Sequence, residues 1–461
     1  MSRNSWPCFV NTTFCEKGSF MSAHPSAPEA LCPNLSVSPS GHLCFAGQDT
    51  LDLAARFGTP LYLVDEDRIR HNCQVYTKAF QTYFPDGSMP LYASKALSFA
   101  GIYPIVESEG MGIDVVSAGE IFTARKAGFD LSRAFFHGNN KTDFELSYAM
   151  DSGLGCFVVD NLEELAALEA EAARRGKKQA ILLRLTPGID THTYEAVNTG
   201  KVDSKFGFAI ETGQAAQATE LALRQNHLIL RGFHCHVGSQ VFAEDVFERS
   251  AWIMLQFLAQ MRSIHGYEAE LLNLGGGYGV RYVASDLSID IDGKIRDVAE
   301  ALHKCCSELG LRLPAILMEP GRSIVADAGL TLYSVGMVKT IPGYKNYVSI
   351  NGGMTDNPRY ALYGSAYTCY AAGRMQDPCD FACDLVGRCC ESGDIIQPDI
   401  LLPRDLRRGE IIAVCTTGAY NYSMASNYNR VPRPPIVLLH DGDARLAVRR
   451  ETLEDLAALD L

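Results

Sequence analysis

No stretch of this 461-residue chain approaches the roughly 18 consecutive apolar residues that a membrane-spanning helix requires. Basic charge is also short: 41 Lys and Arg stand against 54 Asp and Glu, a formal net charge of −13. Nucleic acids and anionic membrane surfaces call for a basic footprint, so neither is expected as a partner. The first 31 residues mix Ser, Asn, Pro and Cys, with no basic patch leading into an apolar segment. No secretory leader is therefore expected, and residues 1–35 read as an N-terminal extension, with Met21 an alternative start. Paired CxxC spacing is missing as well. The 15 cysteines are scattered and odd in number, and even Cys379, Cys383, Cys389 and Cys390 fit no zinc-ligand pattern. Reduced thiols in a cytoplasmic protein are the expectation, with no metal.

What is present is an ordinary globular composition, 47% hydrophobic and 21% charged, at a length suited to two or three domains. Short apolar runs recur at 91–95, 112–116, 134–137, 156–160, 180–185, 230–237, 271–274 and 315–319. Amphipathic segments such as 161–175 and 246–265 lie between them. About eight βα units in this span predict an α/β fold, a (β/α)8 barrel of the TIM type, over 61–325; a doubly wound sheet is the alternative. Beyond 326 the texture changes to short β-branched runs at 335–340, 346–350, 380–387 and 411–416, parted by Gly, Pro and Asn. This predicts a C-terminal all-β domain, a Greek-key barrel or sandwich, over 326–461. Residues 36–60, with a strand-like run at 41–46, are expected to pair with it.

Polar residues gather where these barrel strands end, the face on which barrel active sites are built. Lys95, His137 and Glu319 end predicted strands, Asp114 and Arg184 lie within two others, and His236 closes the sixth. Lys95 sits among small and apolar neighbours; poor hydration there lowers an amine's pKa and favours a Schiff base, although a snorkelling rim lysine has the same neighbours. Asn273-Leu-Gly-Gly-Gly-Tyr-Gly279 follows the seventh strand, and its glycines let backbone N–H groups approach a phosphate. Its spacing matches neither a Rossmann nor a Walker loop, and a plain turn is the alternative. Glu319-Pro-Gly-Arg322 supplies an acid able to keep a pyridine nitrogen protonated, and a planar cation for carboxylate or phosphate. In 232–240 the alternation turns His234 and His236 to one side. That pair suits either a metal, with Asp114 as a third ligand in a barrel hydrolase, or a ring stacked on a flat cofactor.

Together these segments resemble a known family. Tyr92-Ala-Ser-Lys-Ala96, Gly112-Ile-Asp-Val-Val-Ser-Ala-Gly-Glu120, His137-Gly-Asn-Asn-Lys141, Asp203-Ser-Lys-Phe-Gly207 and His234-Cys-His-Val-Gly-Ser-Gln240 carry the likeness. So do Gly275-Gly-Gly-Tyr-Gly279, Glu319-Pro-Gly-Arg322, Cys390-Glu-Ser-Gly-Asp394, Gly418-Ala-Tyr420 and Asn427-Tyr-Asn429. The chain resembles the diaminopimelate decarboxylases, within the alanine-racemase-like, fold-type III enzymes that use pyridoxal 5′-phosphate, over about residues 45–459.

The resemblance implies that Lys95 bonds the cofactor, His236 stacks on its ring and Glu319 pairs with the ring nitrogen. It implies that Gly238, Ser239, Gly275, Gly276, Gly277, Tyr420 and the Glu319, Pro320, Gly321, Arg322 turn surround the cofactor. Arg322, Arg359, Tyr363 and Tyr420 would bind substrate. Glu391 would hold the distal ammonium from a partner subunit, beside Cys390, in a homodimer with shared sites. Either Cys390 or Lys95 would return the proton to Cα. The implied reaction converts meso-2,6-diaminopimelate to L-lysine and CO2; ornithine, lysine or arginine is the alternative substrate. Two positions depart from the usual pattern: Tyr360 follows Arg359 where proline is common, and Ala118 stands where glycine is common.

Overall fold

The computed structural model describes residues 28–189, 204–242 and 245–461. Most of the expected N-terminal extension, and Asp203 of the 203–207 motif, lie outside them.

Eight parallel strands close on themselves. Met89–Ala93, Gly112–Val115, Ala134–Phe136, Cys156–Val159, Gln179–Thr186, Leu228–His234, Leu271–Asn273 and Ala315–Met318 pair in sequence order, and the last pairs with the first. All eight expected runs are strands, and closure decides for the barrel over the doubly wound sheet. The runs are continuous rather than alternating because a parallel strand under helices is buried on both faces. Tyr92, Ile113, Phe136, Phe157 and Leu183 face the surrounding helices, while Leu91, Phe135, Val158, Leu182, Leu271 and Leu317 pack in a separate interior cluster.

That interior parity positions the site. Side chains two residues apart share a face. Continuing the interior rows upward from Phe135, Leu182, Leu271 and Leu317 gives His137, Arg184, Asn273 and Glu319, and Lys95 follows the first strand in the turn just above Leu91 and Ala93. An apolar plug thus fills the lower barrel, and a ring of polar groups caps it at the strand C-termini.

The helices are delimited by their own sequences. Leu162–Arg175 starts where the Asn161 side chain accepts the Glu164 N–H, and stops at left-handed Gly176. Thr142 and Glu145 form a reciprocal capping box at Asp143–Asp151.

The second domain is a nine-stranded β unit with a small separate sheet beside it. Gly329–Ile341 is long enough to serve two neighbourhoods: its first half lies between Leu61–Asp65 and Ile411–Cys415, and its second half pairs with Lys345–Ile350. Cys379–Val386 and Ile395–Pro403 extend one end; Ile436–His440 and Asp443–Val448 extend the other. The segment expected to pair with this domain, 36–60, bonds to it through Leu43 N–H to the Ala372 carbonyl at 2.7 Å and Met375 N–H to the Gly41 carbonyl at 3.0 Å, without entering its nine-stranded sheet. Leu35–Val37, Leu43–Phe45 and Gln48–Asp49 form their own antiparallel sheet, whose Leu35, Leu43 and Phe45 pack under the β domain. The strand that crosses is Leu61–Asp65, between Gly329–Ile341 and Ile436–His440. It is buried throughout, so its apolar run reads like a barrel strand, and only its ladder partners reveal where it belongs.

Candidate active site

A small cleft opens above the polar ring, lined by Lys95, His236, Ser239, Gly277, Glu319, Gly321, Arg322 and Tyr420 among others. Lys95 lies in the 3-10 turn Ser94–Ala96, immediately after the first strand. The turn is pinned from the β domain, where the backbone N–H of Tyr420 donates to the Ala96 carbonyl at 2.7 Å. Tyr420 adopts a left-handed conformation (φ 63°) to do so. Poor hydration was expected to lower the Lys95 pKa. Burial does pull the ammonium down, but the neighbouring acids Asp114 and Glu319, with the Tyr420 phenol between them in effect, outweigh it and hold the amine above its ordinary value.

Glu319 is the most supported group in the cleft. Asn273 Nδ2 donates to its Oε1 at 2.7 Å, His137 Nε2 lies 2.8 Å from Oε1, and His234 Nε2 lies 3.2 Å from Oε2. Burial alone would raise the carboxyl pKa; the two imidazoles more than reverse this, and it lies well below the usual range. Burial pushes His234 down to about 4, and it holds His236 well below the ordinary imidazole value, aided by the Lys95 charge. Both rings are therefore neutral near pH 7.

The glycine loop differs in detail from expectation. The N–H groups of Gly275 and Gly276 are turned inward, to Asn273 Oδ1 at 2.8 Å and His236 Nδ1 at 3.2 Å, and of the three glycines Gly277 lines the cleft. Gly276 is needed for close packing: a Cβ there would meet the Glu319 carbonyl oxygen at 2.0 Å. The loop thus fixes His236 and the Glu319 backbone. Gly238 packs against it, its carbonyl 2.1 Å from where a Gly277 Cβ would stand. Pro320 accepts the Ala93 N–H at 3.0 Å, joining the eighth strand to the first.

Arg322 donates to Tyr282 Oη at 2.6 Å and Ser239 Oγ at 3.1 Å, while its Nε is buried without a hydrogen-bond partner among the described residues. The Tyr420 ring lies between two cations, 4.8 Å from the Arg322 guanidinium and 5.1 Å from that of Arg359; Arg359 also covers the Tyr363 ring at 4.5 Å. Arg359 and Tyr363 lie just beyond the cleft lining. Cys390 and Glu391 are exposed on the β domain and do not line the cleft of their own chain.

The metal alternative named His234, His236 and Asp114. The compact cluster among the described barrel residues is instead His137, His234 and Glu319. Strand-end position and the His137–Lys141 motif both point to His137 without giving it a role, and Asn273 carries no signal beyond the glycine motif that follows it. Tyr282 carried no signal in the sequence.

These residues fit pyridoxal phosphate by their chemistry. A buried, ionised acid and a primary amine line one cleft whose wall also carries a hydroxyl and a guanidinium with one unsatisfied donor. The fold and cleft define the class: residues 66–326 match the pyridoxal binding domain of pyridoxal-dependent decarboxylases. A diaminopimelate decarboxylase of Bacillus subtilis is 44% identical over 91% of this chain and 95% of its own length. The M. jannaschii diaminopimelate decarboxylase solved in complex with L-lysine superposes with a TM-score of 0.84 at 31% identity, covering 93% of this chain and 98% of that one. The Helicobacter pylori enzyme, also solved with L-lysine, gives 0.81 at 31% identity over 89% and 99%. The chain belongs to the diaminopimelate decarboxylase family.

Proposed function

We propose that this chain decarboxylates meso-2,6-diaminopimelate to L-lysine and CO2, with pyridoxal 5′-phosphate held on Lys95. The observation that carries this is the buried Glu319 carboxylate, kept ionised by Asn273, His137 and His234 in the cleft that holds Lys95. When bound, the cofactor supplies an electron sink for the pair left at Cα as CO2 departs. Glu319 holds a proton at the ring nitrogen by preorganised charge. Neutral His236 offers its ring face without competing for that proton. Ser239, Gly277 and the Arg322 guanidinium take the phosphate end, and the Arg322 donor left unpaired gains a partner there. Arg359, beside Tyr363 and Tyr420, orients a substrate carboxylate.

Two groups are absent from this cleft. Cys390 and Glu391, exposed on the β domain, serve the cleft of a second copy in a homodimer, where Glu391 meets the distal ammonium. Lys95 and Cys390 are the two candidate donors of the proton to Cα. Thirteen free cysteines among the described residues favour a reducing, cytoplasmic setting. No helix among the described residues is long and apolar enough to cross a membrane.

The test is CO2 release from purified, cofactor-loaded protein offered meso-diaminopimelate, ornithine, lysine and arginine separately. Turnover of diaminopimelate alone, lost in Lys95→Ala, is the expected outcome. Comparable turnover of ornithine, lysine or arginine would overturn the substrate assignment.

A further inference from the structure

Asp394 closes the Cys390-Glu-Ser-Gly-Asp motif, yet none of the roles above uses it. It is 3% exposed, and both carboxylate oxygens are engaged. Oδ1 accepts the backbone N–H of Met354 and Oδ2 that of Cys389, each at 2.6 Å. Two glycines leave room for the carboxylate. A Cβ at Gly353 would stand 2.6 Å from Oδ2, and one at Gly387 would stand 2.3 Å from both oxygens. The two loops are stitched further by Arg388 N–H to the Gly352 carbonyl at 3.0 Å.

The loops so joined have different destinations. The first, 352–357, runs through Asp356 and Asn357, whose N–H groups bond the Gly353 carbonyl, straight into the helix Arg359–Tyr363. The second, 387–394, carries Cys390 and Glu391; the Cys390 N–H is held by Asn429 Oδ1 at 2.8 Å. One side of Asp394 therefore sets the start of the segment that presents Arg359 to its own cleft. The other sets the base of a loop exposed to a second copy.

We propose that Asp394 is a positioning residue that braces the Arg359 segment of one active site and the Cys390–Glu391 loop of the neighbouring site at once, coupling the two sites of the dimer. This rests on the shared-site homodimer proposed above. Asp394→Asn is nearly isosteric but replaces one of the two acceptors by a donor facing a buried N–H, which breaks one tether and leaves volume unchanged.

Hybrid dimers separate the two effects. A Lys95→Ala chain paired with a Cys390→Ala chain has one working site, built from Lys95 and Arg359 of the second chain and the loop of the first. Recovered activity in this pair is the baseline; none at all would overturn the shared-site dimer itself, and with it the coupling. Asp394→Asn is then placed on either chain. On the Lys95→Ala chain it disturbs only the loop supplied, and kcat falls roughly tenfold. On the Cys390→Ala chain it disturbs only the Arg359 segment, and KM for diaminopimelate rises by roughly the same factor. Cofactor absorbance stays unchanged in both, which a general loss of structure would not allow. Impairment from one placement only, or from neither, overturns the coupling. If Asp394→Asn does not fold, Gly353→Ala in the same design presses on the carboxylate from the Arg359 side, with the same two outcomes deciding.

Discussion

At the scale of single residues, the site is a balance of buried charges that burial alone would neutralise. Glu319 stays ionised because the Asn273 amide and the His234 imidazole hydrogen-bond it and the His137 ring lies 2.8 Å from Oε1. Asp356, in the β domain, shows the opposite outcome. It accepts from Tyr333 Oη and the Gly353 N–H, but burial, with Asp394 nearby, pushes it up to about 7. An acid whose folded pKa exceeds its unfolded value binds its proton more tightly when folded. Its effect on stability is absent below about pH 4 and grows as a penalty as pH rises to about 7. Tyr62 and Tyr333 remain neutral throughout this window, and Arg450 lies near enough to soften the penalty without removing it. Relative to the parent, Asp356→Asn should therefore gain melting temperature progressively as pH rises from 4 to 7. About 4 kcal/mol is the upper bound set by a shift of this size, and melting scans across that range measure it. A variant whose pH profile parallels the parent would contradict the assignment. Little of this network was legible in the sequence. Strand-end position flagged His137 and Glu319, but the Asn273 amide and the Gly276 N–H acquire their partners, Glu319 and His236, only when the barrel closes.

At the scale of elements, the barrel strands were legible because double burial leaves continuous apolar runs, and the helices because their caps are written locally. Asn161 and Gly176 mark both ends of one helix without reference to the rest of the molecule. The β domain was legible only in part. Ile395–Pro403 and Asp443–Val448 went unassigned because Pro398, Pro403 and alternating polar positions blur the apolar signal; Cys369–Ala371 is too short to carry one, and the apolar run Ile436–His440 was legible but unassigned. The loop after the seventh barrel strand makes the sharpest prediction at this scale. A methyl group from Gly276→Ala would collide with the Glu319 carbonyl, which belongs to the backbone and has no rotamer to escape into. Weakened cofactor retention, at least tenfold, should accompany a lower melting temperature; titration of apoprotein with pyridoxal phosphate reads the first directly. Unchanged affinity would mean that the loop yields without moving Glu319.

At the scale of the whole molecule, the two domains are not consecutive in the chain. Leu61–Asp65 precedes the barrel yet lies inside the second domain's sheet, with Gly329–Ile341 on one side and Ile436–His440 on the other. Three segments with some 370 residues between first and last must meet before that sheet has a centre. A version beginning at residue 66 keeps every barrel strand and every candidate catalytic side chain. It should nonetheless fail to yield stable protein, judged by solubility and circular dichroism, and adding 61–65 back as a peptide should restore little. A well-folded, active truncation would refute the role given to that strand. The same threading bears on birth at the ribosome. A nascent chain can close its barrel early, but the ribbon at 61–65 gains a partner on one edge only when 329–332 is made and on the other only when 436–439 follows, so its second edge stays open to chaperones and to sticking together late in translation.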